Sequence, residues 1–398
     1  MAMPQRTTLS PTRNTRRTFY DRDVQAVFWQ VVVVGLVVGV VWFLVHNTLV
    51  NLESRNIQTG YHFLWRESGF DISEFMIPYS AASTYARALL VGLLNTLRVA
   101  IIGVALATVL GIFVGIGTLS QNWLLARITM GYIHLLRNIP VLLQIILWYT
   151  IMINDRFLPN PRQAKPILDT YFTQRGVYFP FPEAHVGWLA AAIALAVALV
   201  LVWLLGRWAT ARQLQTGQRL PTLWPNLLLI IGLPAAAWFL YGAPTEMSMP
   251  ELRGFNFVGG GHLSPEFVSV LFGLTIYTSA FIGEIVRAGI MSVSKGQIEA
   301  ARALGLKEGM ILRNVTLPQA LRVIIPPLTS QYLNLTKNSS LSVAVGYPDL
   351  VSVAGTTMNQ TVQAIEGVSI IMIVYLTLSL TTAALMNWYN KRRQLVER

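Results

Sequence analysis

Eight apolar runs of roughly membrane-crossing length constrain this chain more than any other feature. The hydrocarbon core of a bilayer demands about 20 mostly apolar residues per helical crossing. The runs lie at 26–46, 89–117, 131–153, 187–206, 225–242, 266–290, 321–345 and 367–388. In lipid, backbone N–H and C=O groups find no water, so such runs are expected as helices that satisfy their own hydrogen bonds. The expected fold class is an all-α integral membrane protein with about eight transmembrane helices. Charged residues form only 12% of the 398, and mean hydropathy is +0.51. That places the chain among polytopic membrane proteins. With no cysteine, a disulfide framework and thiolate metal sites are excluded.

The first run resembles a signal peptide in position only. Its apolar stretch, Val31–Val45, is too long for a secretory h-region, and the residues that follow, His46 to Glu53, are bulky or polar. It reads as an uncleaved anchor. Net charge is +12, but the basic residues stand in short segments beside the runs. With the N-terminus inside, the expected cytoplasmic segments hold 18 of the 30 Lys and Arg, against eight in the outer ones. The positive-inside rule then puts both termini and the loop after the sixth run in the cytoplasm. No basic face with interleaved aromatics exists, so nucleic acid is not an expected partner.

Small residues recur every four positions in the second run (Gly103, Ala107, Gly111, Gly115) and in the first (Gly35, Gly39). Such faces let helix backbones approach closely, whether in a pore-forming bundle or in generic packing. Residues 154–186 and 243–265, rich in Pro, Gly and aromatics, read as ordered outer loops.

The polar segment Glu299–Pro318 stands apart. Ser294 and Gln297 have capping-box spacing, which would start a helix. That helix runs through Ala300, Ala301 and Leu304, and Gly305 can take the left-handed conformation that ends it. A second amphipathic run (Met310, Ile311, Leu312, Val315) leads to Leu317-Pro318. Two short helices with small residues at the tip make a knob another protein can grip; an ordinary solvated loop is the alternative.

The spacing E-A-A-x-x-x-G, followed by V-x-L-P, resembles the EAA loop of bacterial ATP-binding-cassette (ABC) import permeases, with Val315 where Ile is common. Further motifs resemble polar amino-acid permeases of the histidine/glutamine type. They are Gly92 to Arg98 (GLLNTLR), Leu135 to Pro140 (LLRNIP for "FRGTP"), Gly283 to Gly289 (GEIVRAG for "AEIFRGG") and Lys337 to Leu341 (KNSSL for "KDTSL"). The layout is similar to the first permease subunit of general L-amino-acid (Aap/Bzt-type) importers. This resemblance implies a type I ABC importer (MetI-like) permease core with extra helices. Its parts would be a cytoplasmic tail (1–25), an added anchor (26–48), the first part of the core (88–154), an insertion with two more spans (155–265), the second part of the core (266–390, with the loop at 294–318) and a cytoplasmic tail (391–398). The insertion could contact a binding protein, pack laterally, or enlarge the scaffold.

The resemblance implies an ATP-driven, binding-protein-dependent importer of polar L-amino acids, acidic and neutral, in the bacterial inner membrane. Expected partners are an ABC ATPase, a second permease subunit, an external solute-binding protein, the amino acid and lipid. Glu299, Ala300, Ala301, Gly305, Leu317 and Pro318 would couple to the ATPase. No Gly-Lys dipeptide occurs, so the P-loop pattern is absent and ATP is expected on the partner subunit, with no cofactor or metal held here. The five histidines are scattered, and neither H-E-x-x-H nor G-x-S-x-G occurs, so no enzyme is expected.

Polar residues inside apolar runs are costly and therefore informative. Glu284 and Arg287 share a helix face at i, i+3, either as a structural ion pair or with Glu284 facing a substrate pathway. Lys337, Asn338, Ser339 and Ser340, read as well inside the seventh run, could bond an amino acid. Asn338 replaces the family's Asp, which would disfavour cationic substrates. Alternatives from other classes are an ion-coupled secondary transporter, which would lack a purpose for the loop, and a membrane scaffold, which would not need the polar quartet.

Overall fold

The computed structural model describes residues 22–54, 60–218 and 220–393; residues 1–21 and 394–398 of the expected tails lie outside them. Helix α1 (Arg22–Ser54) carries the first apolar run and α2 (Tyr85–Gly117) the second. There follow α3 (Trp123–Asn138), α4 (Val141–Ile153), α5 (Val186–Thr216), α6 (Leu223–Leu227), α7 (Leu233–Leu240) and α8 (Pro265–Met291). The chain continues with α9 (Lys295–Ala303), α10 (Glu308–Ile311), α11 (Leu317–Asn338), α12 (Leu350–Thr361) and α13 (Ala364–Arg393). Side-chain caps start several of them. Thr84 accepts from the Arg87 N–H, Asn122 from Leu124 and Leu125, and Ser264 from Phe267 with Pro265 opening the helix.

Among the described residues, six stretches are long and apolar enough to cross a bilayer, or seven if the bent α3–α4 pair counts as one. Two of the eight expected runs change form. The third, 131–153, is not one straight span: α3 and α4 meet at 104°. Pro140 has no N–H and forces Ile139 into extended backbone (φ −96°, ψ 125°), so the helix must stop. The Gln144 amide satisfies the freed carbonyls of Leu136 and Ile139, both at 3.0 Å. The seventh run, 321–345, ends as an α-helix at Asn338 and passes into a 3-10 segment over Ser339–Val345. At 22 residues α11 spans about 33 Å, enough to cross, though it is polar for a span.

Lipid tails are as apolar as leucine, so close packing and not transfer out of water must hold these helices together. The α2–α8 contact shows how. Gly103, Ala107, Gly111 and Gly115 are all buried, and a Cβ on Gly111 would come within 2.6 Å of Ile282. The small face of the second run thus packs as expected. The first run's does not: Gly35 and Gly39 have nothing within 4 Å, and the described side chains of α1 are exposed. Val99, Ala107, Ile145, Leu274, Ile282, Ile324 and Leu335 form the main core.

The bundle end away from α9 is not purely helical. Strand β1 (Tyr171–Thr173) pairs with β2 (Gly176–Phe179), which pairs with β7 (Gly261–Leu263); β3 (Phe181–Pro182) pairs with β4 (Met247–Ser248), and β5 (Glu251–Arg253) with β6 (Asn256–Val258). All are antiparallel. The two segments read as loops are therefore stitched together by β2–β7 and β3–β4, which brackets both ends of the α5–α7 hairpin. Tyr178 lies buried between Phe257 and His262, and burial pushes its hydroxyl pKa up. Nearby, Ile72, Leu89, Val91, Leu350 and Val353 form a second core that joins residues 60–84 to α2, α12 and α13. This is the strand end of the bundle; the other is the loop end.

Candidate coupling loop and polar clusters

At the loop end, α9 begins after Ser294, but its hydroxyl makes no cap bond; only the backbone Gln297 N–H to Ser294 C=O contact (3.1 Å) forms. The expected capping box is absent. The helix end is as expected. Gly305 has φ +76°, and paired bonds from Leu306 N–H to Ala301 C=O (3.2 Å) and Gly305 N–H to Arg302 C=O (2.9 Å) close it. That bond pair is a Schellman motif, which requires the left-handed residue. Arg302 reaches across the turn to Glu308 at 2.7 Å, which lowers the Glu308 carboxyl pKa and raises that of Arg302.

The six expected coupling residues divide. Glu299, Ala300, Gly305 and Leu317 are exposed, Pro318 is half-buried, and Ala301 is only 5% exposed. Ala301, like Ile311 of α10, is buried within the chain, so its smallness suits the loop's own packing. Sequence reasoning passed over Leu304, which is 80% exposed at the tip. The signal was available: a leucine beside the terminating glycine on a polar loop. The second run is continuous with α11 through a π turn over Leu312–Thr316, two residues before Pro318. The same happens before Pro234, where Leu228–Gly232 forms a π turn between α6 and α7. A proline ring clashes with the carbonyl four residues back, and a wider turn relieves it.

Glu284 and Arg287 are a bidentate ion pair, with Nε–Oε2 at 3.0 Å and Nη2–Oε1 at 2.5 Å, both part-exposed. Lys337 to Ser340 stand at the far end of α11, not well inside it. The Ser339 and Ser340 hydroxyls bond back to the carbonyls of Thr336 and Lys337, which favours termination there. No hydrogen bond or ion pair among the described residues joins Glu284 to this quartet.

A cluster missed in the sequence lies at the strand end. Glu74 accepts from Arg98 Nη1 at 3.1 Å and from the Ser264 hydroxyl, while its backbone carbonyl and that of Pro348 accept from the Asn95 amide at 2.9 Å. Burial pushes the Glu74 carboxyl pKa up, opposed by Ser264 and Arg98. Arg98, an ionisable residue inside an apolar run, was the available signal. Asp349, wholly buried between α11 and α12, caps α12 by accepting from the Ser352 N–H at 2.8 Å. Burial raises its carboxyl pKa to about 7.

Residues 206–395 match the family described as binding-protein-dependent transport system inner membrane component. The chain is 48% identical over 96% of its length to the general L-amino acid transport system permease protein AapQ of Rhizobium johnstonii, covering 96% of that protein. It is 43% identical over 95% of its length to the glutamate/glutamine/aspartate/asparagine transport system permease protein BztB of Rhodobacter capsulatus, covering 96% of it. Among solved structures, a crystal structure of an amino acid ABC transporter with histidines aligns with TM-score 0.46 and 21% identity, over 77% of this chain and 95% of that one. With such identity along nearly its whole length, the chain belongs to the inner-membrane permease family of binding-protein-dependent amino-acid ABC transport systems.

Proposed function

We propose that this chain is one of two permease subunits of an ATP-driven importer that carries polar L-amino acids, both acidic and neutral, from an external binding protein. The observation that carries the reading is the α9–α10 knob. It projects Glu299, Ala300, Leu304 and Gly305 outward, while an internal Schellman closure and the Arg302–Glu308 pair keep it rigid. A rigid, exposed knob continuous with α11 can pass a push from a partner into the bundle. The chain has no P-loop pattern, so ATP acts on a separate ATPase that grips this knob. The excess of Lys and Arg in the segments 1–25, 207–220, 291–322 and 391–398 supports cytoplasmic termini and a cytoplasmic knob. The names of the relatives support the substrate class.

The test is reconstitution of the permease pair, ATPase and binding protein in proteoliposomes. ATP-dependent uptake of L-glutamate and L-glutamine is expected, with ATPase activity stimulated by the loaded binding protein. Uptake that follows an ion gradient and ignores ATP would sink the reading.

A further inference from the structure

We propose that the loop end of the α5–α7 hairpin binds an anionic phospholipid, with Arg207 and Arg212 on the headgroup phosphate and an acyl chain in the groove along α5. That groove is lined by Leu201, Leu204, Leu205 and Trp208 of α5 and by Leu229 of the π turn before α7, with a volume of about 420 Å³. A second hollow of about 330 Å³ begins at Ile193 on the same helix and shares Leu201 with the first. At 1.5 Å per residue, the joined stripe from Ile193 to Trp208 runs about 22 Å along α5. One leaflet of the hydrocarbon core is about 15 Å deep, so the stripe has room for a whole acyl chain. The chain leaves this stripe open, since α5 buries only Gly187, Ala194 and Ala198, all on the strand-end side of Leu201.

Two arginines crown the groove. Arg212 follows Trp208 by one turn on the same face, and helical side chains lean back towards the N-terminus. Its guanidinium carbon accordingly lies 5.4 Å from the centre of the Trp208 ring that lines the groove. Arg207, three residues after Leu204, lies 4.7 Å from the centre of the Trp203 ring. Stacking on a ring face steadies a guanidinium plane and leaves its N–H edge to meet a phosphate. Both arginines are exposed, and neither has an ion-pair partner among the described residues. No Asp or Glu occurs between Glu183 and Glu246, so the hairpin has no counter-charge of its own. Free phosphate would answer the charge and leave the groove empty. A zwitterionic lipid would fill the groove and leave the net charge. An anionic phospholipid meets both demands at once. Trp203, Trp208 and Trp224 are exposed at this same end, and tryptophan favours the headgroup level of a bilayer.

The experiment places the full-length chain, with its co-purifying subunits, in phosphatidylcholine nanodiscs doped with a photoactivatable phosphatidylglycerol whose diazirine sits in the acyl chain. The matching phosphatidylcholine probe is the control. Peptide mapping is expected to find the phosphatidylglycerol adduct within 193–208, about fivefold or more above the control, the scale of one arginine beside an anionic lipid. The double variant Arg207→Gln, Arg212→Gln should abolish that preference, and Arg207→Lys, Arg212→Lys should keep most of it. Leu204→Trp fills the groove without changing charge and should lower labelling by the phosphatidylglycerol probe. Excess inorganic phosphate should leave the wild-type adduct in place. Equal labelling by the two probes in wild type overturns the site, as does an unchanged preference in the double Gln variant. If that variant does not elute intact, Leu204→Trp decides, and undiminished labelling there overturns the site equally. Loss of the adduct to inorganic phosphate would assign the arginines to the free ion. No adduct within 193–208, with a partner subunit chemically cross-linked to that stretch, would assign the groove to a protein helix. Either result overturns the lipid site.

Discussion

A Cβ placed on Gly115 of α2 would stand 2.6 Å from the carbonyl oxygen of Gly283 on α8. The obstacle is backbone, which cannot swing aside as a side-chain tip can. Gly115→Ala is therefore expected to push the two longest-packed helices apart, at roughly the 1–3 kcal/mol typical of overpacking. Gly35→Ala in α1, with open space around it, should be silent in the isolated chain. Thermal midpoints of the purified variants decide this; equal loss at both positions would contradict the packing.

The knob separates docking from folding at two adjacent alanines. Ala300 is exposed and Ala301 buried, so Ala300→Trp and Leu304→Asp should leave the chain as stable as wild type while lowering ATPase co-purification and stimulated hydrolysis. Ala301→Trp should instead disrupt the knob itself. Limited proteolysis of the 295–311 segment distinguishes them, since only Ala301→Trp should gain cleavage there. Retention of full coupling by Leu304→Asp would show that the exposed tip is not the contact.

Asp349 ties stability to pH. Its carboxyl titrates near 7 in the folded chain against an ordinary 3.8, so the folded state binds the proton more tightly than the unfolded one. Stability is then greatest below the ordinary value, falls as pH rises from about 3.8 to about 7, and is level above that. Asn caps helices as well as Asp does, so Asp349→Asn should keep α12 and remove this slope. Thermal unfolding from pH 4 to 8 measures it; a variant with the wild-type slope would assign the dependence elsewhere.

Much of this was legible because the deciding physics is local. Gly305 ends α9 as expected because few residues tolerate a φ of +76°, and the small face of α2 announces its own partner contact. Pro140 was equally visible, yet the apolar length of 131–153 masked its consequence. Length counts residues and ignores the one missing N–H that breaks the helix. The Ser294–Gln297 spacing misled in the opposite sense, since spacing permits a cap bond without forming one. Of the strand-end cluster, only Arg98, a charge inside an apolar run, was legible, and its partners were not. Arg98 and Glu74 are 24 residues apart, and Ser264 and Glu74 are 190 apart, so only the fold brings them together.

Asn338 gives a substrate prediction. It closes α11, where the helix end already carries partial negative charge, and it follows the exposed cation Lys337. An added carboxylate there would strengthen the negative field. Asn338→Asp is therefore expected to raise lysine uptake relative to glutamate, read as the ratio of initial rates with each ligand preloaded on the binding protein. An unchanged ratio would remove Asn338 from the set of selectivity residues.

Gln144 holds the bend between α3 and α4. Its amide N–H groups serve two carbonyls that the Pro140 break leaves without helical partners, and no water reaches a lipid-embedded backbone to replace them. Gln144→Leu keeps the volume and removes both bonds, so it should cost about 1–3 kcal/mol for each carbonyl left unsatisfied. Gln144→Glu, protonated at acidic pH, can restore one of the two, and less of the loss should remain at pH 4 than at pH 8. A thermal midpoint for Gln144→Leu within error of wild type would mean that the 104° bend is held by Pro140 and side-chain packing alone.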